Sequence, residues 1–279
     1  MTLAEKYQRL QQLLSEFDSV VVAFSGGVDS TLLLKVACDQ LGPDRVLALT
    51  ASSPIFSRYE LEQSGELAQL FGVQQRLISS DEMALEHFVE NGPRRCYYCK
   101  HSLFSRFLWE AKKISGTLVD GSNLDDLDDY RPGREALEQL QLRSPLLEVG
   151  LGKAEIRRLS RQLGLPTWDK QPSTCLATRF PYGTGITVER LQQIDQCETW
   201  LRLQGFSCYR VRYHDQLARI EVAEEDIPRL VEEPLRQALL KEFKLNGFDY
   251  IALDLQGYRS GSMNEVLSDS GSAEADQRD

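Results

Sequence analysis

The sequence is poor in long apolar runs and in net positive charge. No apolar run approaches the ~20 residues that a membrane-spanning helix needs, so we expect no membrane partner. Lysine and arginine total 32 against 42 aspartate and glutamate residues, which gives a formal net charge of −10 at pH 7. Because nucleic-acid phosphates are bound by clustered Lys and Arg, we also expect no nucleic-acid partner. A local basic pocket for a small anion remains compatible with this balance.

Cysteine is also scarce, with six residues in a chain of 279. The opening MTLAEKYQRLQQLLSEF predicts an amphipathic helix and lacks the basic-then-apolar order of an export signal. We therefore expect a cytoplasmic protein, in which paired cysteines favour a metal site or catalysis over disulfides. At roughly 150 residues per domain, the length predicts two domains.

Strand and helix signals alternate through the first half of the chain. Short β-branched runs predict strands, and periodic apolar residues between them predict helices. The strands are expected at residues 19–24, 45–50, 73–78 and 117–120, and the helices at 29–40, 58–71, 96–115 and 153–163. Strands that alternate with helices form right-handed βαβ units. The predicted fold class is therefore α/β, with a parallel doubly wound sheet.

The pattern changes at a turn-rich stretch, QPSTCLATRFPYGTG. We expect a first domain at 1–172, a junction loop at 173–186 that carries Cys175, a smaller α+β domain at 187–262, and a disordered acidic tail at 263–279. Within the small domain, the pattern predicts a helix at 188–203, a hairpin of 209–213 with 219–222, a helix at 227–243 and a strand at 250–253. We expect this domain to bind substrate or to mediate oligomerisation.

The first predicted strand leads directly into SGGVDS at 25–30 and then into a helix. Glycines let the backbone approach an anion closely, and the N–H groups and dipole of a helix N-terminus hold it. The spacing fits neither the Walker loop nor the dinucleotide-binding motif. The plain alternative is a Ser/Gly turn that only caps the helix.

The SGGVDS motif resembles the PP-loop of the adenine nucleotide α-hydrolase-like superfamily. Members of that superfamily use ATP to adenylate a substrate and release pyrophosphate. The resemblance makes the first domain an ATP-binding domain. The residues then expected around the pyrophosphate are Ser25, Gly26, Gly27, Asp29 and Ser30.

Two further stretches lie at predicted strand ends, where open α/β sheets bind ligands. DGSNLDD supplies Gly121 and Asp125, and Asp125 is a candidate ligand for Mg²⁺ on the leaving pyrophosphate. The chain continues with DDYRPG at 128–133, as in the superfamily. By fold analogy alone, Ala51 at the end of the second strand lies where the superfamily binds adenosine. The alternative for the acidic stretch is a solvated loop.

Three cysteines form a second constellation. Cys96 and Cys99 form a CxxC at a predicted helix start, and Cys175 lies in the junction loop. A structural zinc site takes four ligands, whereas three thiolates suit a [4Fe–4S] cluster with one iron left open. Flanking basic residues favour reactive thiolates; they are Arg94, Arg95 and Lys100. The alternative is three unrelated free cysteines.

Taken together, six segments resemble the motifs of the LarE family of ATP-dependent sulfur transferases: SGGVDS, RRCYYCK, DGSNLDD, RSPL, PSTCLATR and YRVRYH. The resemblance implies an enzyme that adenylates the carboxylates of pyridinium-3,5-biscarboxylic acid mononucleotide and converts them to thiocarboxylates. This chemistry belongs to the biosynthesis of the nickel-pincer nucleotide of lactate racemase. The resemblance further implies a small-molecule nucleotide substrate, a homo-oligomer (trimer or hexamer), and transient contacts with other proteins of that biosynthesis.

Cys175 has two alternative roles under this resemblance. In part of the family the matching cysteine gives up its own sulfur and becomes dehydroalanine, and those members lack the CxxC. The presence of Cys96 and Cys99 departs from that pattern. The departure favours a [4Fe–4S] cluster on the three cysteines, with a sulfide on the open iron as the nucleophile and repeated turnover. Sacrifice of the Cys175 sulfur stays as the alternative.

A basic pocket is expected because the substrate of the family carries a phosphate. Arg210 and Arg212 alternate on a predicted strand, so both side chains point to one face and can clamp a phosphate. Glu198 matches a family position near this site, and Arg179 is expected to steady the acyl-adenylate. The alternatives are a solvated strand face for Arg210 and Arg212 and a solvated helix position for Glu198.

Three other functions remain open at this stage. An ammonia-delivering ligase of the same superfamily would not need the three cysteines. A tRNA-thiolating enzyme would need a basic face, which the net charge of −10 disfavours. A non-catalytic nucleotide-binding module would keep SGGVDS alone, and ATP/pyrophosphate exchange would distinguish it from the enzymes.

Overall fold

The structure, a computed structural model, describes residues 1–127, 132–172 and 174–259. The chain divides into two compact units, Met1–Ser173 and Thr174–Asp279. The predicted tail at 263–279, the first four residues of DDYRPG (128–131) and Ser173 lie outside the described residues. No helix in the described ranges is long and apolar enough to span a bilayer.

The first unit contains a four-stranded parallel sheet. Its strands are Val20–Ala23 (β1), Val46–Ser52 (β2), Gln74–Ser79 (β3) and Thr117–Val119 (β4). They lie in the order β3-β2-β1-β4. Val20 pairs with Val46 on one side and with Thr117 on the other, so the carboxyl ends of the strands share one edge. The predicted parallel sheet is confirmed.

The helices of the first unit connect and cover these strands. In chain order they are Leu3–Ser15 (α1), Val28–Leu41 (α2), Arg58–Leu70 (α3), Glu86–Val89 (α4), Arg95–Lys113 (α5), Pro132–Gln139 (α6), Pro145–Glu148 (α7) and Lys153–Gln162 (α8). Short 3-10 turns occur at Pro43–Arg45, Glu82–Ala84 and Leu124–Leu127.

Helices pack on both faces of the sheet because β1 is apolar on both of its faces. Val20 and Val22 point into one core, which includes Leu10 of α1. Val21 points the other way, into a second core with Phe107 of α5. Burying a side chain of this size contributes about 1.5–3 kcal/mol. The doubly wound arrangement therefore fixes the strands firmly and leaves their carboxyl edge to the loops.

The second unit is a smaller α+β assembly, as predicted. Its long helix is Val188–Leu203 (α9), and its strands are Tyr209–His214 (β5), Leu217–Val222 (β6) and Tyr250–Leu253 (β7). The sheet order is β5-β6-β7, with β5 antiparallel and β7 parallel to β6. Short 3-10 turns occur at Leu176–Arg179 and Glu224–Asp226.

The predicted continuous helix at 227–243 is wrong. The structure has two helices instead, Ile227–Val231 (α10) and Leu235–Leu245 (α11). Pro234 lies between them, and a proline lacks the N–H that a continuous helix requires. Glu232 already has extended dihedral angles, with φ −81° and ψ 145°, so the chain leaves the helix before the proline.

Candidate active site

The SGGVDS segment connects β1 to α2 at the carboxyl edge of the sheet. Gly27 is the N-cap of α2, so no side chain caps the first N–H groups of that helix. The hydroxyl oxygens of Ser25 and Ser30 lie 3.2 Å apart, and the Ser30 hydroxyl donates to the Gly27 carbonyl at 3.3 Å. The loop is thus held by its own serines while its helix N-terminus suits an anion.

Two glycines permit close backbone approach at this loop. Gly26 has a φ of +69°, and a Cβ there would meet the Cα of Ser64 at 3.2 Å. A Cβ on Gly121 would lie 3.1 Å from the backbone nitrogen of Ser30. The segment after β4 therefore packs directly against the first turn of α2, which places Gly121 beside the phosphate loop.

Asp29 pairs with a lysine that the sequence analysis missed. Its Oδ2 lies 2.5 Å from Nζ of Lys153, the first residue of α8. Its Oδ1 is buried without a hydrogen-bond partner among the described residues. Burial raises the pKa of Asp29, and the charge of Lys153 offsets part of this rise. A pair that is only half satisfied suits a site where a charged ligand exchanges the partners.

Asp125 contacts the same end of α8. Its Oδ2 accepts a hydrogen bond from the backbone N–H of Lys153. Gly152 leaves space for this contact, because a Cβ there would lie 3.2 Å from that oxygen. Lys153 therefore contacts both predicted acidic residues, Asp29 and Asp125. Mg²⁺ prefers carboxylate oxygens, and the buried Oδ1 of Asp29 gives these residues a donor set that fits the ion.

Asp120 at the end of β4 organises the loop that carries Asp125. It is 5% exposed, and its carboxylate accepts hydrogen bonds from the hydroxyls of Ser122 and Ser144. Burial raises the pKa of Asp120, although both hydrogen bonds favour the charged form. The sequence pattern alone predicts no separate role for Asp120.

The end of β2 lies beside the phosphate loop. The Thr50 hydroxyl donates to the Phe24 carbonyl at 2.7 Å, and the Phe24 N–H donates to the Leu49 carbonyl at 2.8 Å. Ala51, the predicted adenosine contact, follows Thr50 and pairs with Ile78 of β3. Ala51 is thus at the same edge of the sheet as SGGVDS.

A second lysine missed in the sequence also reaches the phosphate loop. Nζ of Lys170 donates to the Gly26 carbonyl at 3.2 Å and to Oε2 of Glu60 at 2.8 Å. Lys170 and Gly26 are 144 residues apart in the chain. No local pattern signals such a contact, so only the fold could reveal it.

Cys96 and Cys99 lie in the first turns of α5. Their i, i+3 spacing places both half-buried thiols on one face of the helix. The basic surroundings expected from the sequence are only partly present. Arg94 pairs with Glu135 at 2.9 Å, so its charge is compensated there, and Arg95 is buried at 5% exposure.

In the second unit, Arg179 organises the loop that carries Cys175. Cys175 is the half-buried N-cap of the 3-10 turn Leu176–Arg179. Nη1 of Arg179 donates to the carbonyl of Thr174 at 3.2 Å and to that of Cys175 at 3.4 Å. The Cys175 carbonyl also accepts from the Thr178 hydroxyl at 2.9 Å. The backbone around Cys175 is therefore held by hydrogen bonds from the Arg179 guanidinium.

A buried ion pair in turn holds Arg179. Its Nε and Nη2 donate to the two carboxylate oxygens of Glu198 at 2.8 and 2.9 Å, and the two side chains are 4% and 8% exposed. Burial opposes both charges, yet their attraction wins, so the pKa of Arg179 is raised and the pKa of Glu198 is lowered. The alternative of a solvated helix position for Glu198 is wrong.

Arg210 and Arg212 are buried as well, at 8% and 5% exposure, so the alternative of a solvated strand face is wrong. Arg212 forms a bidentate ion pair with Glu221 at 2.9 and 2.7 Å. It also donates to the Thr178 carbonyl at 3.0 Å. All three nitrogens of the Arg212 guanidinium thus donate hydrogen bonds to other residues of the second unit.

Arg210 has a different environment. Its guanidinium lies 5.0 Å from the ring centroid of Tyr258. Burial, together with the charge of Arg179, lowers the pKa of Arg210. Among the described residues, the buried charged side chains of the second unit are three arginines and two glutamates: Arg179, Arg210, Arg212, Glu198 and Glu221. This excess of positive charge favours an anionic ligand.

The described residues contain no group of three or more His, Cys, Asp or Glu side chains placed to hold a metal ion. By chemistry, three thiolates fit an iron–sulfur cluster, and Cys96 and Cys99 share one helix face. Cys175 belongs to the other unit. The structure thus places two of the three predicted cluster ligands on one face of α5.

Comparison with known proteins agrees with these features. The sequence pattern of the NAD synthase family matches residues 4–93, the part of the chain that contains SGGVDS. The chain is 43% identical over 267 residues to an uncharacterized protein of Synechocystis, covering 95% of this chain and 99% of that protein. It is 32% identical over 242 residues to an uncharacterized protein of Methanocaldococcus jannaschii, covering 86% and 91%.

One relative has a stated activity. The chain is 38% identical over 268 residues to the pyridinium-3,5-bisthiocarboxylic acid mononucleotide synthase of Lactiplantibacillus plantarum, covering 96% of each protein. The similarity therefore includes both units, and with them the phosphate loop and the Cys175 loop. This chain is an ATP-using enzyme and belongs to the LarE family of ATP-dependent sulfur transferases.

Proposed function

We propose that the enzyme adenylates the carboxylates of pyridinium-3,5-biscarboxylic acid mononucleotide and converts them to thiocarboxylates, as a step in nickel-pincer nucleotide biosynthesis. The main support is one arrangement in the second unit: a buried Arg179–Glu198 pair that holds the backbone of Cys175. Nucleotide binding alone would not require a cysteine held in this way. The relative from Lactiplantibacillus plantarum is named as the synthase of the corresponding product, pyridinium-3,5-bisthiocarboxylic acid mononucleotide.

The first chemical step assigned to the enzyme is activation of the acceptor. A carboxylate is a poor electrophile, and adenylation gives it AMP as a leaving group. As the carboxylate oxygen attacks the α-phosphorus of ATP, negative charge develops on the departing pyrophosphate, where the N-terminus of α2 and Lys153 would stabilise it. Asp29 and Asp125 would hold Mg²⁺, which supplies charge neutralisation between phosphate groups when bound.

The second unit provides the positive charge that we propose binds the substrate phosphate. Arg210 is the residue we assign to this contact, because positive charges outnumber negative ones in its buried surroundings. Arg212 is assigned a supporting role through its pair with Glu221. Arg179 keeps Cys175 in place and contributes positive charge near the acyl-adenylate.

The source of the sulfur is a finer part of the proposal. We assign Cys96, Cys99 and Cys175 as ligands of a [4Fe–4S] cluster, on the strength of the CxxC spacing. Such a cluster, when bound, would supply a sulfide on its open iron. Sacrifice of the Cys175 sulfur stays as the alternative.

The proposed function is tested with ATP, Mg²⁺, sulfide and the biscarboxylic mononucleotide under anaerobic conditions. We expect pyrophosphate release that depends on the acceptor, and a thiocarboxylate product detected by mass spectrometry. Cys175→Ala should still release pyrophosphate but should make no thiocarboxylate. Cys208→Ala, which removes a half-buried cysteine of the same unit, is the matched control and should retain both steps. Thiocarboxylate formation by Cys175→Ala would contradict the role of Cys175.

A double variant, Cys96→Ala with Cys99→Ala, distinguishes the two sulfur routes. Under cluster ligation this variant should lose bound iron, acid-labile sulfide and product together. Under sacrifice it should still transfer one sulfur per chain, and the intact mass should fall by one H₂S at Cys175. Wild-type protein that binds no iron and shows this mass loss would overturn the cluster assignment.

Three expectations about the surroundings of the enzyme also stay proposals. They are a cytoplasmic location, a homo-oligomer of three or six copies, and transient contact with other proteins of the pincer-cofactor biosynthesis. Sedimentation of the purified protein tests the second, and a monomer at working concentration would contradict it.

A further inference from the structure

The chain that leaves β7 is held against β6 by a tight turn. The Gly257 N–H donates to the Asp254 carbonyl at 3.1 Å, and Oδ2 of Asp254 pairs with Arg219 of β6 at 2.7 Å. The next residue, Tyr258, donates its N–H to the carbonyl of Val222, the last residue of β6, at 2.7 Å. The backbone of Tyr258 is therefore fixed to the sheet of the second unit.

A glycine is required at this turn. Gly257 has a φ of +68°, and a Cβ there would lie 2.9 Å from the Val222 carbonyl oxygen, closer than a real Cβ comes to another atom. Val222 pairs with Tyr209, the residue that precedes Arg210 on β5. The close approach at Gly257 therefore places Tyr258 near the start of β5, where Arg210 lies.

The ring of Tyr258 lies against Arg210. The guanidinium carbon is 5.0 Å from the ring centroid, within the range of about 6 Å over which a cation is attracted to an aromatic face. Burial lowers the pKa of Arg210, and Tyr258 acts in the opposite direction. Burial opposes the charge of Arg179 as well, yet Glu198 and, to a smaller extent, Tyr258 raise its pKa. Tyr258 therefore lies close to two buried guanidinium groups.

The hydroxyl is the part of the Tyr258 side chain that the fold does not use. In the described ranges it forms no hydrogen bond, and the residue is half-buried, so part of the side chain is open to solvent. A phenylalanine ring would make the same contact with Arg210, so that contact does not account for the oxygen. A phenol both donates and accepts, whereas guanidinium groups only donate. A bound anion could accept hydrogen bonds from the hydroxyl and from a guanidinium together.

We propose that Tyr258 binds the phosphate of the mononucleotide substrate, with its ring holding the Arg210 guanidinium in place and its hydroxyl donating to a phosphate oxygen. The inference rests on the proposed function, which assigns Arg210 to that phosphate. A phosphate monoester has several oxygens that accept hydrogen bonds, so one group can accept from both side chains. The excess of buried positive charge in this unit favours an anion over a neutral group.

The experiment separates the hydroxyl from the ring, and the phosphate from the rest of the substrate. Tyr258→Phe removes the hydroxyl alone, and Tyr258→Leu removes the ring as well. Tyr250→Phe is the matched control, because Tyr250 is a 65% exposed tyrosine on β7 of the same unit. Calorimetry measures the affinity of each full-length variant for the biscarboxylic mononucleotide and for the corresponding nucleoside, which lacks the phosphate. Circular dichroism checks that each variant keeps its fold.

We expect Tyr258→Phe to bind the mononucleotide roughly tenfold to a hundredfold more weakly, because a hydrogen bond to a charged acceptor is lost. Its affinity for the nucleoside should equal that of the wild type. Tyr258→Leu should lose a further factor of about two to five for the mononucleotide, since Arg210 then also lacks its aromatic contact. Tyr250→Phe should bind both ligands like the wild type.

A double variant tests whether Tyr258 and Arg210 bind the same anion. Tyr258→Phe should cost much less affinity for the mononucleotide in an Arg210→Ala background than in the wild type, because residues that share a ligand group are energetically coupled. Equal costs in the two backgrounds would show two independent contacts and would contradict a shared phosphate.

The remaining outcomes separate this inference from the proposed function. Wild-type protein that binds neither ligand would contradict the proposed function itself. Wild-type protein that binds the mononucleotide, with Tyr258→Phe binding it equally well, would overturn the role of the hydroxyl and leave the proposed function in place. A loss of equal size for the nucleoside would place the hydroxyl on another part of the substrate, and the phosphate contact would then be wrong.

Discussion

The two units each contain a central ion pair, and the two pairs differ in how completely they are satisfied. Lys153 and Asp29 touch at a single point, at 34% and 22% side-chain exposure, with Asp29 Oδ1 unpartnered among the described residues. Arg179 and Glu198 form two parallel bonds at 4% and 8% exposure. A lysine is a point charge on a flexible stem, whereas an arginine is a rigid fork. The first pair is suited to exchange partners, and the second to hold a loop still.

This difference assigns separate tasks to the two units. A ligand phosphate can replace Asp29 at Lys153 when Mg²⁺ takes up the Asp29 carboxylate, because neither charge is then left without a partner. Replacement of Glu198 at Arg179 would strand a buried charge, which is strongly unfavourable. Under the proposed function, adenylation would use the exchangeable charges of the first unit, while the pair in the second unit supports the Cys175 loop.

The largest expected effect follows from breaking the fixed pair. Glu198→Ala should lower the free energy of unfolding by about 3–5 kcal/mol, because it leaves the buried guanidinium of Arg179 unpaired. Urea unfolding followed by circular dichroism measures this loss. Glu189→Ala, an exposed residue at the start of the same helix, is the control and should cost less than about 1 kcal/mol. Equal losses of unfolding free energy in the two variants would mean that the buried ion pair does not stabilise the fold.

The exchangeable pair should behave in the opposite way. Lys153→Met should leave the unfolding free energy within about 1 kcal/mol of the wild type, as for other part-exposed pairs. Acceptor-dependent pyrophosphate release should fall by about 10²–10³, because a charge aimed at the leaving group is lost. Lys35→Met is the matched control, since Lys35 pairs with Asp39 on α2, also at 2.5 Å. A rate loss shared by both variants would remove Lys153 from the site.

Asp29→Ala tests the other partner of the exchangeable pair. It removes the partner of Lys153 and a proposed Mg²⁺ ligand, so pyrophosphate release should also fall by about 10²–10³. Asp39→Ala, on the same helix, should release pyrophosphate at close to the wild-type rate. Near-normal release by Asp29→Ala would place the phosphate loop outside the mechanism.

A smaller effect is expected at the substrate phosphate. Arg210→Ala should weaken binding of the mononucleotide substrate about tenfold to a hundredfold while leaving ATP affinity unchanged. Arg219→Ala is the control from the neighbouring strand, where Arg219 pairs with Asp254 at 2.7 Å. Calorimetry with each ligand separately measures both affinities. Parallel losses for ATP and substrate would show that Arg210 does not distinguish the two sites.

The same contrast explains which features the sequence could predict and which it could not. The strands of the first unit and the SGGVDS loop follow from local patterns, because buried apolar runs and turn glycines act within a few residues. Lys153 and Lys170 could not be found in this way, because their partners are 124 and 144 residues away. The burial of Arg210 and Glu198 was equally hidden, since charged residues on a strand or helix normally indicate a solvated face. The break at Pro234, by contrast, had a local signal that the helical pattern obscured.

The smallest expected effect compares two buried carboxylates through pH. Burial raises the pKa of Asp120, whereas Arg179 lowers that of Glu198 against the effect of burial. A raised folded-state pKa contributes stability that is complete below the ordinary value of 3.8 and is lost as the pH rises through the folded-state pKa. A lowered one contributes stability above its ordinary value of 4.5, and this is lost as the pH falls through the folded-state pKa.

Substitution by the neutral isosteres should therefore act with opposite signs. Asp120→Asn should be more stable than the wild type at neutral pH, with a difference that shrinks as the pH falls toward 3.8. Glu198→Gln should be less stable at neutral pH, and its deficit should also shrink in acid. Thermal unfolding of the three proteins across this pH range measures both differences. A destabilised Asp120→Asn at neutral pH would show that the Ser122 and Ser144 hydrogen bonds outweigh the burial of the charge, and the first unit would then contain a fixed carboxylate of the kind found in the second.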